Sequence, residues 1–442
     1  MKVKSWCNVY FESREAICTM RLQSSKFILG ALLHTLICVN ASGESWNQFL
    51  GNQRNATATY SFEIDPSNQP SVQWKVPVGA GYTTPLVHED SDAGEDVVFA
   101  FSRENGNEVL TKIQLSDGEV LWKRDWPVPF TAAGGGEKHG VGPKASAVLI
   151  NGFLVTVSID GTLRGHSTKS GEMLWKRLDN REFGKGYPNW GASYSPIIVG
   201  KLVILRMGDD EGGRLLALNP MDGQSLWQVD GPGPSYASAN RGTFDEIDQI
   251  IDWNHETLQG VAPGNGQTLW SIPFPHVGVD QNSPTPMIDG GVIFLGAENR
   301  GLHAYIPSRN AQGNWTINEI WKRDDLALNM ATALVKDGRL WGLSHYDRGR
   351  LVCLNATDGT TVWESQPRFG EQVNLVSIGD SILAITSDGR LIILNAKASE
   401  YDPVAVYGLG ELGMGSRFWS PPTPVRNGVL VKDDEFIYRL GF

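Results

Sequence analysis

The chain of 442 residues carries a formal net charge of −11, with 20% charged and 41% hydrophobic residues. This balance is typical of a folded globular protein and is inconsistent with intrinsic disorder. The excess of negative charge makes sequence-independent binding to phosphates unfavourable, so we predict no nucleic acid partner.

The first predicted element is an export leader. An apolar run over residues 27–39 follows basic residues and precedes small residues that end at Ala41. This order is typical of a signal peptide, so we predict a leader over residues 1–41, with Met20 as a candidate true start. We expect an exported protein that is periplasmic, associated with the envelope or secreted. No later segment approaches the roughly 20 apolar residues of a transmembrane helix, so we expect no membrane anchor after leader removal.

Cysteine usage provides no disulfide framework. Cys7, Cys18 and Cys38 fall in the predicted leader, and Cys353 is alone in the rest of the chain. One thiol forms no intramolecular disulfide, and no Cys/His spacing resembles a zinc site. We interpret Cys38 as part of the apolar run rather than as a lipid-attachment site, because the preceding Ile37 is not small.

A tryptophan then recurs at intervals of 42 to 53 residues. Most copies follow a turn such as Asp117-Gly118 or Asp358-Gly359 by four residues. The period is typical of repeat folds such as β-propellers, whose units bury their apolar faces against neighbours. We predict that each ring packs against the next blade near the outer edge. The repeat tryptophans are Trp74, Trp122, Trp175, Trp227, Trp270, Trp321 and Trp363.

The unit that ends at Trp363 shows how one blade is built. Apolar and β-branched runs at 331–335, 339–344, 350–355 and 361–365 are separated by Gly, Asp and Asn turns. Such runs predict a four-stranded antiparallel meander, in which Asp-Gly turns supply the positive φ of tight hairpins.

The two ends of the chain complete one blade. Three apolar runs between residues 421 and 440 end the chain, whereas a lone run around Trp74 has no preceding strands. Pairing them removes exposed sheet edges and closes the ring. We therefore predict an all-β, eight-bladed β-propeller of four-stranded antiparallel blades over residues 71–442, closed by its N- and C-terminal strands. Residues 42–70 form a predicted N-terminal extension, and the unit near Val406 lacks its tryptophan.

This repeat resembles the PQQ repeat of quinoprotein-dehydrogenase-like propellers. The opening Trp46-Asn47-Gln48-Phe49-Leu50-Gly51 is similar to the start of many exported bacterial PQQ-repeat proteins. The chain is more similar to the small exported BamB-like members than to the enzymes. The resemblance covers about residues 45–442 and implies the fold. It does not imply an activity, because members with and without quinone share the repeat.

The resemblance also implies what an enzyme of this family needs. The enzymes resemble one another in a vicinal Cys-Cys disulfide over the quinone, an aromatic floor and a Glu/Asn/Asp set that binds calcium. Cys353 alone cannot supply the disulfide. We predict no catalytic residue, metal or cofactor, and keep a PQQ- and calcium-dependent oxidoreductase as the alternative. Four candidate calcium ligands are interpreted as turn residues, namely Asp280, Asn282, Asn240 and Asn329.

Residues just before each predicted first strand are expected at one mouth of the central channel, where propellers usually bind. Aromatic and Arg side chains are enriched there, as in contact surfaces. The sequence favours a monomeric, exported, non-catalytic binding or scaffold propeller that contacts a protein or another envelope component. A carbohydrate-handling propeller, or rings that only fill the channel, remain alternatives. The rim candidates are Tyr82, Lys144, Trp190, Tyr194, Tyr236, Arg241, Asp280, Gln281, Asn329, Arg417, Phe418 and Trp419.

Overall fold

The computed structural model describes residues 45–442 except 63, 91–93, 133, 179–181 and 279. The predicted leader lies outside the described residues, so its cleavage stays a prediction. The described residues belong to one compact unit. In the described part of the chain, no helix is long and apolar enough to cross a membrane.

Within the described residues, 32 strands form eight four-stranded antiparallel sheets. The strands of the N-terminal half are β1 (Ser71–Pro77), β2 (Leu86–Asp90), β3 (Glu95–Glu104), β4 (Asn107–Gln114), β5 (Val120–Pro127), β6 (Val148–Ile150), β7 (Phe153–Val157), β8 (Leu163–Ser167), β9 (Met173–Arg177), β10 (Ile197–Val199), β11 (Leu202–Gly208), β12 (Gly213–Leu218), β13 (Ser225–Gly231), β14 (Asn240–Phe244), β15 (Ile247–Trp253), β16 (Thr257–Val261) and β17 (Thr268–Pro273).

The strands of the C-terminal half are β18 (Met287–Asp289), β19 (Val292–Ala297), β20 (Gly301–Arg309), β21 (Trp315–Arg323), β22 (Leu334–Lys336), β23 (Arg339–Ser344), β24 (Arg350–Asn355), β25 (Thr361–Glu364), β26 (Val373–Ile378), β27 (Ser381–Thr386), β28 (Arg390–Asn395), β29 (Ala405–Gly408), β30 (Thr423–Val425), β31 (Gly428–Lys432) and β32 (Phe436–Gly441). Short 3-10 helices lie in loops at Gly136–His139, Tyr346–Arg348 and Leu409–Leu412.

Each run of four strands from β2 to β29 forms one blade, which gives seven blades in chain order. The eighth blade joins β30, β31 and β32 to β1, with Ser71 opposite Gly441 and Val76 opposite Ile437. The predicted eight-bladed propeller and its closure by the two ends of the chain are therefore confirmed.

Burial decreases from the inner strands to the outer strand of a blade. All six residues of β26 are buried, whereas six of the eight residues of β5 are exposed. Inner strands contact neighbouring blades on both faces, and for this reason they consist of nearly continuous apolar runs. Outer strands carry charged residues such as Lys123 and Arg124 between their apolar positions.

Five of the repeat tryptophans lie on a turn glycine of the next blade. A Cβ atom added to any of these glycines would lie 2.6–3.0 Å from the indole ring, and each glycine has a positive φ of 70–83°. Only glycine combines that backbone conformation with such a close approach. The pairs are Trp74 with Gly118, Trp122 with Gly171, Trp175 with Gly223, Trp227 with Gly266, and Trp321 with Gly359.

Two tryptophans depart from this arrangement. The corresponding turn of the next blade contains Gly313 in the case of Trp270, but nothing lies within 4 Å of a Cβ added there, and in the case of Trp363 it contains no glycine. Trp270 donates its indole N–H to Gln249 Oε1 at 2.6 Å, inside its own blade. Trp363 packs edge-on against Tyr401, with ring centroids 5.5 Å apart. Both rings are nevertheless buried.

A buried ion pair joins the third and fourth blades. Arg206 Nη2 lies 2.8 Å from Asp252 Oδ2, and the two side chains are 3% and 0% exposed. Gln259 also donates to this carboxylate, at 2.9 Å. These hydrogen bonds satisfy charges that would otherwise be costly to bury.

The segment before β1 lies across the channel and contacts several blades. Trp46 pairs through its backbone with Val87 in the first blade, and Ala58 donates its N–H to Ser377 in the seventh. Arg54 is fully buried and donates to Ala239 O at 2.5 Å. Burial lowers the pKa of its guanidinium to about 9. The extension is thus packed into the propeller.

Candidate functional site

A series of hydroxyl side chains connects the blades around the channel. Each lies just before a first strand and accepts the backbone N–H of the corresponding residue in the preceding blade. The N···O distances are 2.9–3.1 Å for five consecutive pairs, which start at the Thr84 N–H. We call the five accepting residues the hydroxyl ring: Ser146, Ser195, Ser238, Thr285 and Thr332.

The last two blades continue these contacts with different groups. Asn374 Nδ2 donates to Trp419 O at 3.2 Å, and Thr423 Oγ1 donates to Pro85 O in the first blade at 2.5 Å. Side-chain hydrogen bonds therefore link most neighbouring blades at this level of the channel.

The hydroxyl ring explains one error of the sequence prediction. The first strand of the sixth blade was expected over residues 331–335, but β22 starts only at Leu334. Thr332, inside the expected strand, accepts a hydrogen bond from Thr285 of the preceding blade. The segment around Thr332 is thus hydrogen-bonded to a neighbouring blade before it joins the sheet of its own blade.

A cavity of about 170 Å³ lies at the hydroxyl ring and opens toward the mouth of the channel. All five ring residues line it, and Phe49 and Leu50 from the extension contribute apolar walls. Each blade contributes one further lining residue. It lies two positions before the Ser or Thr at or just before the start of the first strand or, in the seventh blade, two positions before Asn374. These residues are Tyr82, Lys144, Ser193, Tyr236, Ser283, Met330, Gln372 and Pro421.

Two stacked aromatic pairs flank the mouth of this cavity. Tyr82 and Trp419 have ring centroids 5.2 Å apart at an interplanar angle of 14°. Trp190 and Tyr236 have centroids 5.1 Å apart at 26°, and the Tyr236 hydroxyl accepts the Trp190 backbone N–H at 3.0 Å. The rings therefore stack in pairs while all four still line the cavity.

The titratable groups of the cavity are perturbed mainly by burial. Burial lowers the pKa of Lys144 to about 8, and Lys144 Nζ donates to Trp190 O at 2.5 Å. Burial, followed by nearby Lys138, lowers the pKa of His139 to about 4. Burial raises the pKa of Tyr82 to about 12 and that of Tyr236 still further. At neutral pH, His139 is therefore uncharged and both phenols are protonated.

Five of the sequence-predicted rim residues line the cavity together: Tyr82, Lys144, Trp190, Tyr236 and Trp419.

Tyr194 and Phe418 do not reach the mouth, which corrects the prediction for both. Tyr194 is 2% exposed and its hydroxyl donates to Asp252 Oδ1 at 3.0 Å. Phe418 is fully buried in the core. Side chains alternate along an extended segment, so a residue next to a cavity-lining residue points into the blade. Ser193 and Trp419 line the cavity, and their neighbours are therefore directed away.

Arg241 is also placed differently from the prediction. It lies inside β14, past the hydroxyl ring, and donates to Asn52 O of the extension at 3.2 Å. The sequence-based start of that strand was too late, so a residue of the inner strand was assigned to the rim.

The other four candidates lie outside the cavity lining. Asp280 accepts a hydrogen bond from Asn299 at 3.0 Å, and Gln281 O accepts one from Arg300. Arg417 lies 3.4 Å from Asp434 in an exposed ion pair. The fourth, Asn329, is half-buried beside the cavity-lining Met330.

Sequence reasoning missed the hydroxyl ring, His139 and the contribution of the extension. A detectable signal for the ring was the Ser or Thr followed by Pro or Ala before most first strands, as in Thr84-Pro85 and Ser238-Ala239. The sequence contains no comparable signal that would place Phe49 in the cavity wall.

Comparisons with known proteins agree with this architecture. Residues 105–365 match the family model described as outer membrane protein assembly factor BamB. No curated protein sequence matches the chain significantly. The crystal structure of BamB from Moraxella catarrhalis is 13% identical, with a TM-score of 0.60 over 85% of this chain and 100% of that chain.

Two enzyme structures are similar in fold to a comparable degree. A europium-containing methanol dehydrogenase is 11% identical, with a TM-score of 0.61 over 90% of this chain and 98% of that chain. A quinohemoprotein alcohol dehydrogenase from Comamonas testosteroni is 11% identical, with a TM-score of 0.62 over 90% and 80% of the two chains. At these identities the similarity shows the fold alone.

The cavity chemistry does not fit a quinone held by calcium. Calcium binds several oxygen ligands, among which carboxylates are typical. Among the described residues, the lining includes no Asp or Glu. The four candidate ligands are not brought together in the cavity: Asn282 donates to Asn254 O, and Asn240 donates to Arg54 O. Within the described chain, Cys353 is a buried free thiol of the sixth blade, where it cannot form a vicinal disulfide.

Proposed function

The chain belongs to the family described as outer membrane protein assembly factor BamB, and from this membership we propose that it is a non-catalytic binding module of the cell envelope. Its partner, a protein or another envelope component, binds at the mouth of the channel. The observation that carries this proposal is the pair of stacked aromatic units, Tyr82 with Trp419 and Trp190 with Tyr236, held half-exposed around one opening.

Pre-positioned aromatic rings are suited to contact a partner. Binding energy in protein interfaces concentrates in a few residues, with Trp and Tyr over-represented. Rings that are already stacked lose little conformational entropy on binding. The Trp190 ring is further held by a hydrogen bond from its indole N–H to Gly134 O at 2.8 Å.

The groups in the cavity also support a non-catalytic role. A general base needs a pKa near the working pH, whereas that of His139 is about 4. Each hydroxyl of the ring accepts a backbone N–H, and among the described residues no carboxylate or imidazole is bonded to it as an activating base. These features favour binding over acid–base or nucleophilic chemistry.

We propose export on the basis of the predicted leader and the family. N-terminal sequencing of the protein from a cell-envelope fraction is expected to start near Ser42. A protein that retains residues 1–41 and stays in the cytosolic fraction would contradict export, while leaving the proposed binding surface testable with purified protein.

The partner surface is tested by capture from envelope extract with Trp190→Ala and Trp419→Ala. Both variants are expected to lose most capture while their melting temperatures stay close to that of the parent. Trp315→Ala is the matched control, because Trp315 lies half-buried on the outer strand β21 and outside the cavity. Unchanged capture by both mouth variants would contradict the proposal.

The alternative activity is tested separately. Purified protein is incubated with PQQ and Ca²⁺, and quinone absorbance and substrate-dependent dye reduction are measured. We expect neither. Saturable quinone binding with dye reduction would replace the binding module with an oxidoreductase.

A further inference from the structure

The side of the cavity formed by the second to sixth blades presents the five hydroxyls of the ring. Each hydroxyl of the ring accepts one backbone N–H, which leaves its O–H proton free to donate and its second lone pair free to accept. Among the described residues, no group accepts a hydrogen bond from Ser146, Ser195, Ser238, Thr285 or Thr332 at this site. Five O–H donors therefore converge on one space.

Lys144 adds a positive charge to the same space. Its ammonium carries three donors, and its acceptor among the described residues is Trp190 O. No other Lys or Arg, and no Asp or Glu, lines the cavity in the described part of the chain. The charge of Lys144 is thus not balanced by a carboxylate within the cavity.

Neighbouring titratable groups leave this positive charge in place. Tyr82, His139 and Tyr236 face the cavity from three other segments and are uncharged at neutral pH. Asp434 and Asp210, which act electrostatically on Tyr82 and Tyr236, each lie near a cation of their own, Arg417 and Lys185. At neutral pH the cavity itself therefore carries one positive charge.

We propose that this cavity binds a small monocarboxylate attached to a ring. The carboxylate accepts hydrogen bonds from the Lys144 ammonium and from hydroxyls of the ring, and the ring of the ligand lies against the stacked pairs at the mouth. Five available O–H donors beside one cation favour an anion, because charge-assisted hydrogen bonds are the strong ones.

The charge and the walls of the cavity narrow the choice of anion. A single ammonium balances a carboxylate, but leaves the second charge of a phosphate ester at neutral pH unbalanced. Trp190 and Trp419 offer flat apolar faces to a sugar or aromatic ring. This inference does not depend on a macromolecular partner, because the cavity is complete within one chain.

Benzoate and glucuronate are the probes, each titrated into purified protein with intrinsic tryptophan fluorescence and calorimetry as readouts. Benzamide, glucose and inorganic phosphate test the need for the charge and for the ring. We expect at least one ring acid to bind in the millimolar range or tighter, and at least tenfold more tightly than its neutral analogue and than phosphate. Equal binding of the neutral analogue, stronger binding of phosphate, or no binding of either acid would overturn the proposal.

Lys144→Gln removes the charge while keeping a side-chain donor for Trp190 O. It is expected to weaken binding of the acid at least tenfold, without a fall in the melting temperature at neutral pH. The matched control is Lys138→Gln, an exposed lysine outside the lining, which is expected to bind normally. Affinity should also fall as the pH rises through about 8, where Lys144 loses its proton. Normal binding by Lys144→Gln would overturn the role of Lys144.

The source of the carboxylate is resolved by repeating the capture from envelope extract with Lys144→Gln. Normal capture together with lost binding of the acid shows that the ligand is a free small molecule, as proposed. If capture is lost too, and excess benzoate releases the partner from the parent protein, the carboxylate belongs to the partner and the free-ligand proposal is overturned. Failure of the aromatic variants to affect capture would contradict the partner surface without affecting this result.

Discussion

At the outer edge, neighbouring blades meet through tryptophan rings that lie on turn glycines, whereas around the channel they meet through N–H···O bonds to Ser and Thr hydroxyls. The outer contact uses large apolar surface and close approach. The inner contact uses small polar groups whose remaining donors point into a cavity. The outer contacts can therefore act only to stabilise the fold, whereas the inner contacts also define the chemistry of the channel.

The largest effect is expected from Trp321→Ala in the outer contact. Trp321 is 9% exposed, lies on Gly359 and donates its indole N–H to Ala356 O at 2.9 Å. Its loss should lower the free energy of unfolding by about 3–5 kcal/mol. The half-buried Trp175 and Trp227 should lie at the lower end of that range when changed to Ala.

Trp315→Ala, on the same strand but outside this contact, is the control for denaturant unfolding and should lose about 1 kcal/mol. A loss of roughly 1 kcal/mol or less for Trp321→Ala would show that the rings do not hold the blades together.

Gly223→Ala tests the close approach without removing a ring. The added Cβ would lie 2.6 Å from the Trp175 ring at a φ of +70°, and together these should cost about 2–4 kcal/mol. Gly106→Ala has a similar φ of +86° but nothing within 4 Å, so it isolates the backbone strain and should cost about 1–2 kcal/mol. Equal losses of stability in the two variants would mean that the Trp175 ring moves aside at no cost in free energy.

Ser195→Ala tests the inner contact. It leaves the buried Ser146 N–H without its acceptor at 2.9 Å, which should cost about 1–3 kcal/mol. Ser195→Thr keeps the hydroxyl and should retain more of the stability. If both variants unfold at the same denaturant concentration as the parent protein, the hydroxyl ring lines the cavity but does not stabilise the fold.

The smallest expected effect is a pH dependence of stability at the inner strands. Lys432 is fully buried, and burial lowers its pKa from 10.5 to about 8 despite Asp433 and Asp434 nearby. Between those values the unfolded chain binds a proton that the folded protein does not, so stability rises with pH. Below about pH 8 both states hold the proton and this slope disappears.

The melting temperature should therefore rise by roughly one to a few degrees between pH 8 and 9.5. Lys432→Met should flatten this rise, and Lys144→Gln should flatten it partly. Measurement stops below pH 10, because buried tyrosines such as Tyr236 have a raised pKa and destabilise the fold above that value. A melting temperature that falls across this window in the parent would contradict the assignment.

The outer contacts and the ring closure could be predicted from the sequence, and the cavity only in part. Tryptophans such as Trp321 and turns such as Asp358-Gly359 recur at a regular period. Strand β1 has no partner strand next to it in the sequence, and the last strands supply one. Lys144 and Trp190, two of the predicted rim residues, line the cavity. Tyr194 does not, because a one-residue shift in an extended segment reverses the side chain.

The hydroxyl ring and the extension depend on contacts between distant parts of the chain. Ser195 and Ser238 are 43 residues apart, and neither residue type distinguishes a turn from an inter-blade acceptor. Arginine is usually a surface residue, yet Arg54 is buried against Pro196 and Ala239. Such placements are set by tertiary packing, which local patterns do not contain.

The pairing of Ser71 with Gly441 also constrains the order in which the molecule can form. Strand β1 is synthesised before the other seven blades, whereas β32 is synthesised after them. Until then, β1 presents a free backbone edge that could pair with another chain. The contact also spans nearly the whole sequence, and such non-local pairing slows folding. A chain that is interrupted before Phe436 lacks β32, so only a molecule that contains both strands can cover both sheet edges.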